Sequence, residues 1–181
     1  MKTARTLGSY LVPAALLGAL VLAACQPQAP SQTTASGVTQ AEASAICSTL
    51  AVARNTPDFN KLDAVMAPGL LSFDPFSTTP ITSLDQLKQF YLGTQAAFPD
   101  FSMRFDEVWV SGDRVFARWT ATATHQGLWF ELPATGKNVT ISGLTVMKVE
   151  AGKVTEQVNY FDLLGIARQL GARLTTASEQ I

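Results

Sequence analysis

The spacing of apolar residues changes at Phe101, and this change constrains the fold more than any other feature of the sequence. Before it, apolar side chains recur at helical intervals in three segments, residues 41–55, 58–66 and 83–98. After it they alternate in four segments, which begin near Phe101, Arg114, Val139 and Val154. Short alternating segments separated by glycine-containing turns are typical of an antiparallel meander. We therefore predict an α+β domain in which helices cover one face of a sheet.

The first two predicted strands differ in the size of the side chains on their apolar faces. The first strand places Phe105 and Trp109 on one face, together with Phe101 and Met103. The second presents mostly alanine around Trp119. Small side chains on the inner side of a curved sheet either leave a cavity or admit a helix closely, and the sequence favours neither.

Asp162 lies where the last predicted strand meets a short predicted helix. It continues the parity of Val154, Val158 and Tyr160, so we expect it to point to the apolar face of the sheet. Asp is among the best N-cap residues. In an apolar pocket, desolvation would raise the pKa of its carboxyl group toward the range useful for proton transfer. Asp162 is therefore predicted as a helix cap, an acid/base group, or both.

His125 is the single histidine of the chain and ends the alanine-rich strand face. A lone histidine there is more often a core or rim residue than a catalyst, although neighbouring strands would let it share a pocket with Asp162. No second histidine or cysteine cluster accompanies it, so we predict no metal site.

The first 24 residues have the pattern of a secretory signal peptide. Lys2 and Arg5 precede an uncharged apolar run, and the run ends in Leu22-Ala23-Ala24-Cys25. This ending resembles the bacterial lipobox, in which the cysteine is acylated; an ordinary cleavage site with a chance cysteine is the alternative. Acylation of Cys25 would anchor the chain in a membrane. We predict an envelope lipoprotein whose folded part lies outside the cytoplasm.

The rest of the chain divides into a tether, one domain and a tail. Residues 25–40 are rich in Pro, Gln, Ser and Thr and are predicted to be a flexible tether. Residues 41–175 have the size of one domain, and residues 176–181 form a tail. Cys47 lies among small apolar residues and is predicted to be a buried thiol.

The charge of the chain excludes nucleic acid as a partner. Lys2 and Arg5 are two of the 13 basic residues, so the rest of the chain has 11 basic against 14 acidic groups. No basic cluster stands out in the predicted domain, whereas proteins that bind nucleic acids carry a basic patch.

Several motifs in residues 115–173 resemble one family, the SnoaL-like polyketide cyclases of the nuclear transport factor 2-like superfamily. They are Thr124-His125-Gln126-Gly127, Pro133-Ala134-Thr135-Gly136-Lys137, Gly152-Lys153-Val154, Asp162-Leu163-Leu164-Gly165 and Arg168-Gln169-Leu170-Gly171. The resemblance implies a cone-shaped antiparallel sheet around a pocket, often in a dimer. It also implies an aspartate, here Asp162, that acts as acid and base in an aldol closure without a metal or organic cofactor.

Two functions follow from these expectations. The first is an envelope-anchored, cofactor-independent cyclase or isomerase for a small hydrophobic carbonyl or ester compound. In it Asp162 moves the proton, and His125, Gln157, Tyr160 and Trp119 shape or polarise the pocket. Phe105 and Trp109 are also expected to line it. The second is a module of the same fold that binds a hydrophobic ligand or a protein, with Asp162 only capping its helix.

Overall fold

The computed structural model of the protein describes residues 37–172. The predicted signal peptide, the predicted acylation site Cys25, most of the predicted tether and the tail at residues 176–181 lie outside the described residues. Within residues 37–172, no helix is both long and apolar enough to cross a bilayer.

Helices cover the N-terminal half of the domain and close its C-terminal end. They are α1 (Gln40–Asn55), a 3₁₀ helix (Phe59–Ala64), α2 (Leu84–Ala97) and α3 (Leu163–Leu170). Thr39 and Glu42 form a reciprocal capping box at the start of α1, and Ser83 caps α2 by accepting from Gln86 N at 3.2 Å. These caps satisfy backbone N–H groups that have no partner inside the helix. The helix predicted at residues 58–66 is shorter and tighter than expected.

The strands form one curved sheet of mixed direction. They are β1 (Met66–Phe73), β2 (Ser102–Ser111), β3 (Arg114–Thr124), β4 (Asn138–Glu150) and β5 (Lys153–Phe161). The order in the sheet is β1-β5-β4-β3-β2. The predicted meander is therefore β2 to β5, but β1 adds to it in parallel, with Ser72 opposite Gln157. Alternation of side chains indicates a strand but not its partner, which is why the sequence predicted only antiparallel pairing.

Two register shifts change which side chains face the helices. The pairing of β2 with β3 shifts between Phe105 and Glu107, and the pairing of β5 with β4 shifts between Val154 and Glu156. A bulge inserts one residue, so every later side chain of that strand moves to the opposite face. Asp106 and Thr155 are the inserted residues.

The core lies between the helices and the inner face of the sheet in two apolar clusters. The larger cluster packs α1 and the 3₁₀ helix against the sheet, including β1. The smaller cluster includes Phe98, Ile166 and Leu170. Cys47 is buried in the larger cluster, as predicted, and burial raises the pKa of its thiol to about 12.

The outer face of the sheet carries an apolar row across all five strands. Register pairs connect Trp109 to Phe116, Phe116 to Val146, Val146 to Val158, and Val158 to Phe73. Trp109 and Phe73 are exposed by 47% and 39%. The homodimer that the resemblance implies stays a prediction.

Candidate active site

A cavity of about 120 Å³ lies between α1, α2 and the inner face of the sheet. Its wall is mainly aromatic and aliphatic, with polar groups concentrated on one side. The polar lining residues are Arg54, Asp74, Tyr91, Thr94, Thr145, Gln157 and Asn159. An apolar pocket with a few convergent polar groups is the usual form of a small-molecule site. The alanines of β3 thus accompany a cavity, which was one of the two possibilities left open by the sequence.

Asp74 is the acidic residue of the cavity wall. It follows directly after β1, and its Oδ1 accepts a hydrogen bond from the backbone N–H of Phe76 at 3.2 Å. Its Oδ2 accepts from Asn159 Nδ2 at 3.4 Å. Desolvation raises the pKa of the Asp74 carboxyl group, while these hydrogen bonds and the charge of Arg54 oppose the shift. The balance favours the neutral acid more than it does for an aspartate in water.

A chain of hydrogen bonds orients the side chains that lead to Asp74. Trp119 Nε1 donates to Thr145 Oγ1 at 3.0 Å, and Thr145 Oγ1 donates to Asn159 Oδ1 at 2.7 Å. The Asn159 amide then donates to Asp74. Each of these side chains is held by a hydrogen bond to the next one, so the network keeps the Asp74 carboxylate in one position on the cavity wall.

Tyr91 supplies a hydroxyl group on the same side of the cavity. Its oxygen accepts from Gln157 Nε2 at 3.4 Å, and Gln157 Nε2 also donates to Ser72 Oγ at 2.8 Å. Desolvation raises the pKa of the Tyr91 hydroxyl, so this group stays protonated at neutral pH. Its proton has no acceptor within hydrogen-bond distance among residues 37–172, and it can be donated to a ligand.

Three of the predicted pocket residues line the cavity and two do not. Trp119, Gln157 and Phe105 are part of the wall. The expected pocket positions of Trp109 and Tyr160 are wrong, because both lie beyond the bulges and point outward, Tyr160 with 56% exposure. Alternation counted across a bulge assigns the wrong face.

Asp162 is not among the residues that line the cavity. Its side chain is exposed, and its Oδ1 accepts from the backbone N–H of Gly165 at 2.7 Å. The expectation that it points to the apolar face is wrong, because Thr155 reverses the parity of β5 and brings Gln157, Asn159 and Phe161 inward instead. The structure therefore shows Asp162 as the N-cap of α3.

His125 lies behind the wall rather than in the cavity. It is fully buried, and its ring packs 5.1 Å from that of Phe98 and 6.4 Å from that of Trp129, measured between centroids. Its Nδ1 accepts from the backbone N–H of Thr135 at 3.3 Å. His125 does not share a pocket with Asp162. It fixes the turn that leads to β4 and supports two aromatic wall residues.

Asp74 and Tyr91 were not predicted as site residues from the sequence. The available signal was a carboxylate between Phe73 and Phe76, at the end of an extended segment, together with a tyrosine on the apolar face of α2. In the described part of the chain, no three His, Cys, Asp or Glu side chains lie close enough together to hold a metal ion.

The fold and the cavity together define the class of protein. A curved sheet with helices that close a pocket on its inner face is the nuclear transport factor 2-like architecture. The sequence model of the SnoaL-like polyketide cyclases matches residues 45–170. The chain belongs to this family.

The fold is similar to that of several solved structures. TsrD from Streptomyces laurentii is 24% identical with a TM-score of 0.69, and the match covers 75% of this chain and 99% of TsrD. IdmH from Streptomyces antibioticus, a candidate polyketide cyclase, is 26% identical with a TM-score of 0.62 over 71% and 98% of the two chains. A protein with a ketosteroid isomerase-like fold from Catenulispora acidiphila is 16% identical, with a TM-score of 0.62 over 72% and 97%. A comparison with curated proteins finds no match.

Proposed function

We propose that the protein is a cofactor-independent acid/base enzyme of the cyclase or isomerase type, with Asp74 as its proton carrier. Its substrate is a small hydrophobic carbonyl or ester compound. The observation that carries the proposal is a carboxyl group with a raised pKa in a mostly apolar cavity. Membership of the SnoaL-like family supports the reaction class, since IdmH of similar fold is a candidate polyketide cyclase.

The proposed reaction uses Asp74 first as a base and then as an acid. The ionised carboxylate takes a proton from the carbon next to the substrate carbonyl, and the bonding electrons move onto the carbonyl oxygen. The Tyr91 hydroxyl donates a hydrogen bond to that oxygen as its charge grows. In an isomerase the neutral Asp74 returns the proton to another carbon. In a cyclase the enolate carbon attacks a second carbonyl group, and Asp74 protonates the alkoxide that forms.

The size of the cavity limits the substrate. A void of roughly 150 Å³ holds a benzene molecule, so a cavity of about 120 Å³ suits a single ring or a short chain. A larger compound would have to extend through the mouth of the cavity. The cavity itself therefore suits a compound, or the part of a compound, of about one ring.

The proposed location is the outside of a bacterial membrane, where an acylated Cys25 anchors the domain through residues 26–40. The Leu22-Ala23-Ala24-Cys25 sequence and the composition of the tether support this proposal. Mass spectrometry of the protein expressed in its native envelope tests it. A mature chain that begins with a diacylglyceryl-modified Cys25 is expected, and a chain cleaved elsewhere and recovered without lipid would contradict it.

Hydrogen exchange at carbon tests the catalytic proposal without knowledge of the substrate. Cyclohexanone, acetophenone, levulinate and phenylpyruvate are incubated in deuterated water, and loss of their α-hydrogens is followed by NMR. We expect wild-type protein to accelerate exchange of at least one compound and Asp74→Asn to lose about 100-fold or more of that rate, the usual scale for a general base. Asp162→Asn is the matched control and keeps the wild-type rate. Acceleration that is equal in wild type and Asp74→Asn would refute the proposal.

A ligand-binding module is the second candidate. The chain from Trp119 to Asp74 is internally hydrogen-bonded, which favours a rigid, structural role for the carboxylate. This candidate predicts that ligands bind the cavity and that no compound shows exchange dependent on Asp74.

A further inference from the structure

Arg54 holds an unusual position in the wall of the cavity. It lies in the last turn of α1, and its guanidinium carbon is 3.9 Å from the centroid of the Tyr91 ring and 4.5 Å from that of Phe101. Cation–π contacts of this kind fix the plane of the guanidinium group. They use the faces of the group and leave its N–H donors available.

The N–H donors of Arg54 have no oxygen acceptor in the part of the chain that the structure describes. Among residues 37–172, the guanidinium group makes no hydrogen bond, and no carboxylate oxygen lies within 4.0 Å of its nitrogens. Arg114 and Arg118 differ from Arg54, since they pair with Glu156 and Glu107 at 2.8 and 2.7 Å on the outer side of the sheet. The Arg54 side chain is half-buried and its guanidinium nitrogens reach solvent, so all five N–H donors are open to a ligand that supplies acceptors.

We propose that the cavity binds a small monocarboxylate, with its carboxylate group on Arg54 and a body of about one ring among the aromatic side chains. Planar, bidentate pairing with a carboxylate is what the guanidinium group does best. The aromatic residues Phe76, Phe90 and Phe98 and the aliphatic Ile141 form the apolar part of the wall. This proposal names the substrate class of the site described above, so it rests on that site, but it requires binding only and not turnover.

The charges of the wall are compatible with an anionic guest. Its titratable residues are Arg54, Asp74 and Tyr91. Arg54 is the cationic member of this set and makes no ion pair with Asp74 within 4.0 Å, so its charge is available to a ligand carboxylate.

Binding of benzoate and benzamide to the full chain tests the proposal, because the two probes share size and shape and differ in charge. We expect wild-type protein to prefer benzoate by about tenfold or more, the range for hydrogen bonds to a charged group. Arg54→Met fills the space between the rings, should bind benzamide as wild type does, and should lose the preference. Arg54→Lys should retain part of it, because the charge remains without the planar fork. Arg104→Met, at an exposed arginine on the outer face, is the matched control and should keep the full preference.

Three results would overturn the proposal: equal affinity of wild type for the two probes, an unchanged preference in Arg54→Met, or binding of neither probe. Asp74→Asn separates the proposal from the catalytic one. It should bind benzoate at least as tightly as wild type, since a repulsive carboxylate is removed. If exchange chemistry fails but the benzoate preference depends on Arg54, only the catalytic proposal is lost.

Discussion

Removal of the Asp162 carboxylate should lower stability without affecting chemistry in the cavity. Asp162 accepts a hydrogen bond from Gly165 N at 2.7 Å and is the side-chain cap of α3. An α-helix of eight residues is marginal on its own, and burial of Ile166 and Leu170 holds it against the sheet. Loss of the cap therefore weakens a helix that closes one end of the core.

The expected loss follows from measured N-cap energies. Asp162→Ala should cost about 1 kcal/mol of unfolding free energy, within a range of about 0.5–2 kcal/mol. For a domain of this size, that corresponds to a decrease of roughly 3–5 °C in the melting temperature. Asp162→Asn keeps an oxygen acceptor at the cap and should melt within about 1–2 °C of wild type.

Thermal unfolding by circular dichroism, paired with the deuterium exchange assay, checks this prediction. Both variants should keep the wild-type exchange rate and the wild-type preference for benzoate. A large loss of exchange in Asp162→Asn with an unchanged melting temperature would refute the reasoning. It would mean that the carboxylate turns into the cavity when substrate is bound.

Three further predictions follow from single contacts. The pKa of Asp74 is raised in the folded state, so ionisation of this group lowers the free energy of unfolding as pH rises through that pKa. Asp74→Asn should therefore be more stable than wild type at pH 7. In urea unfolding curves the difference should vanish below about pH 4, where the Asp74 carboxyl group is protonated in both the folded and the unfolded state. A methyl group on Gly143 would collide with the Trp119 indole ring and lie 2.7 Å from the carbonyl oxygen of Tyr160. Gly143→Ala should therefore shift tryptophan fluorescence and weaken benzamide binding. An unchanged fluorescence spectrum would contradict this packing. In a Cys25→Ser background, Cys47 should react with a thiol reagent at pH 8 only after unfolding, since burial raises its pKa to about 12; rapid labelling of folded protein would contradict its burial.

The sequence predicted the elements of the fold better than the residues of the site. Caps such as Ser83 and the alternation in β3 are local signals, and both predictions are confirmed. The errors arise at Asp106 and Thr155, where one inserted residue reverses the face of everything that follows. Nothing in the residue types at these positions marks a bulge, because it results from how two strands pair.

Asp74 shows a second limit of sequence-based prediction. The residue belongs to the site because β1 lies beside β5, which places its carboxyl group next to Asn159. These residues are 85 positions apart, and the pairing is parallel, so no local pattern connects them. The family motif drew attention to Asp162, whereas the long-range pairing creates the buried carboxylate.

Two charged groups of the cavity wall are not neutralised by a close ion pair within residues 37–172. Burial disfavours the charged forms of both Arg54 and Asp74 and shifts their pKa values toward each other. Yet their side chains stay more than 4.0 Å apart, so neither gains the close ion pair that would offset desolvation. A domain selected for stability alone would bring them together or replace both with apolar residues. That they remain separate on the wall of a cavity is the kind of local cost that proteins retain at functional sites. It is the physical reason for placing the chemistry at Asp74 and the recognition of the substrate at Arg54.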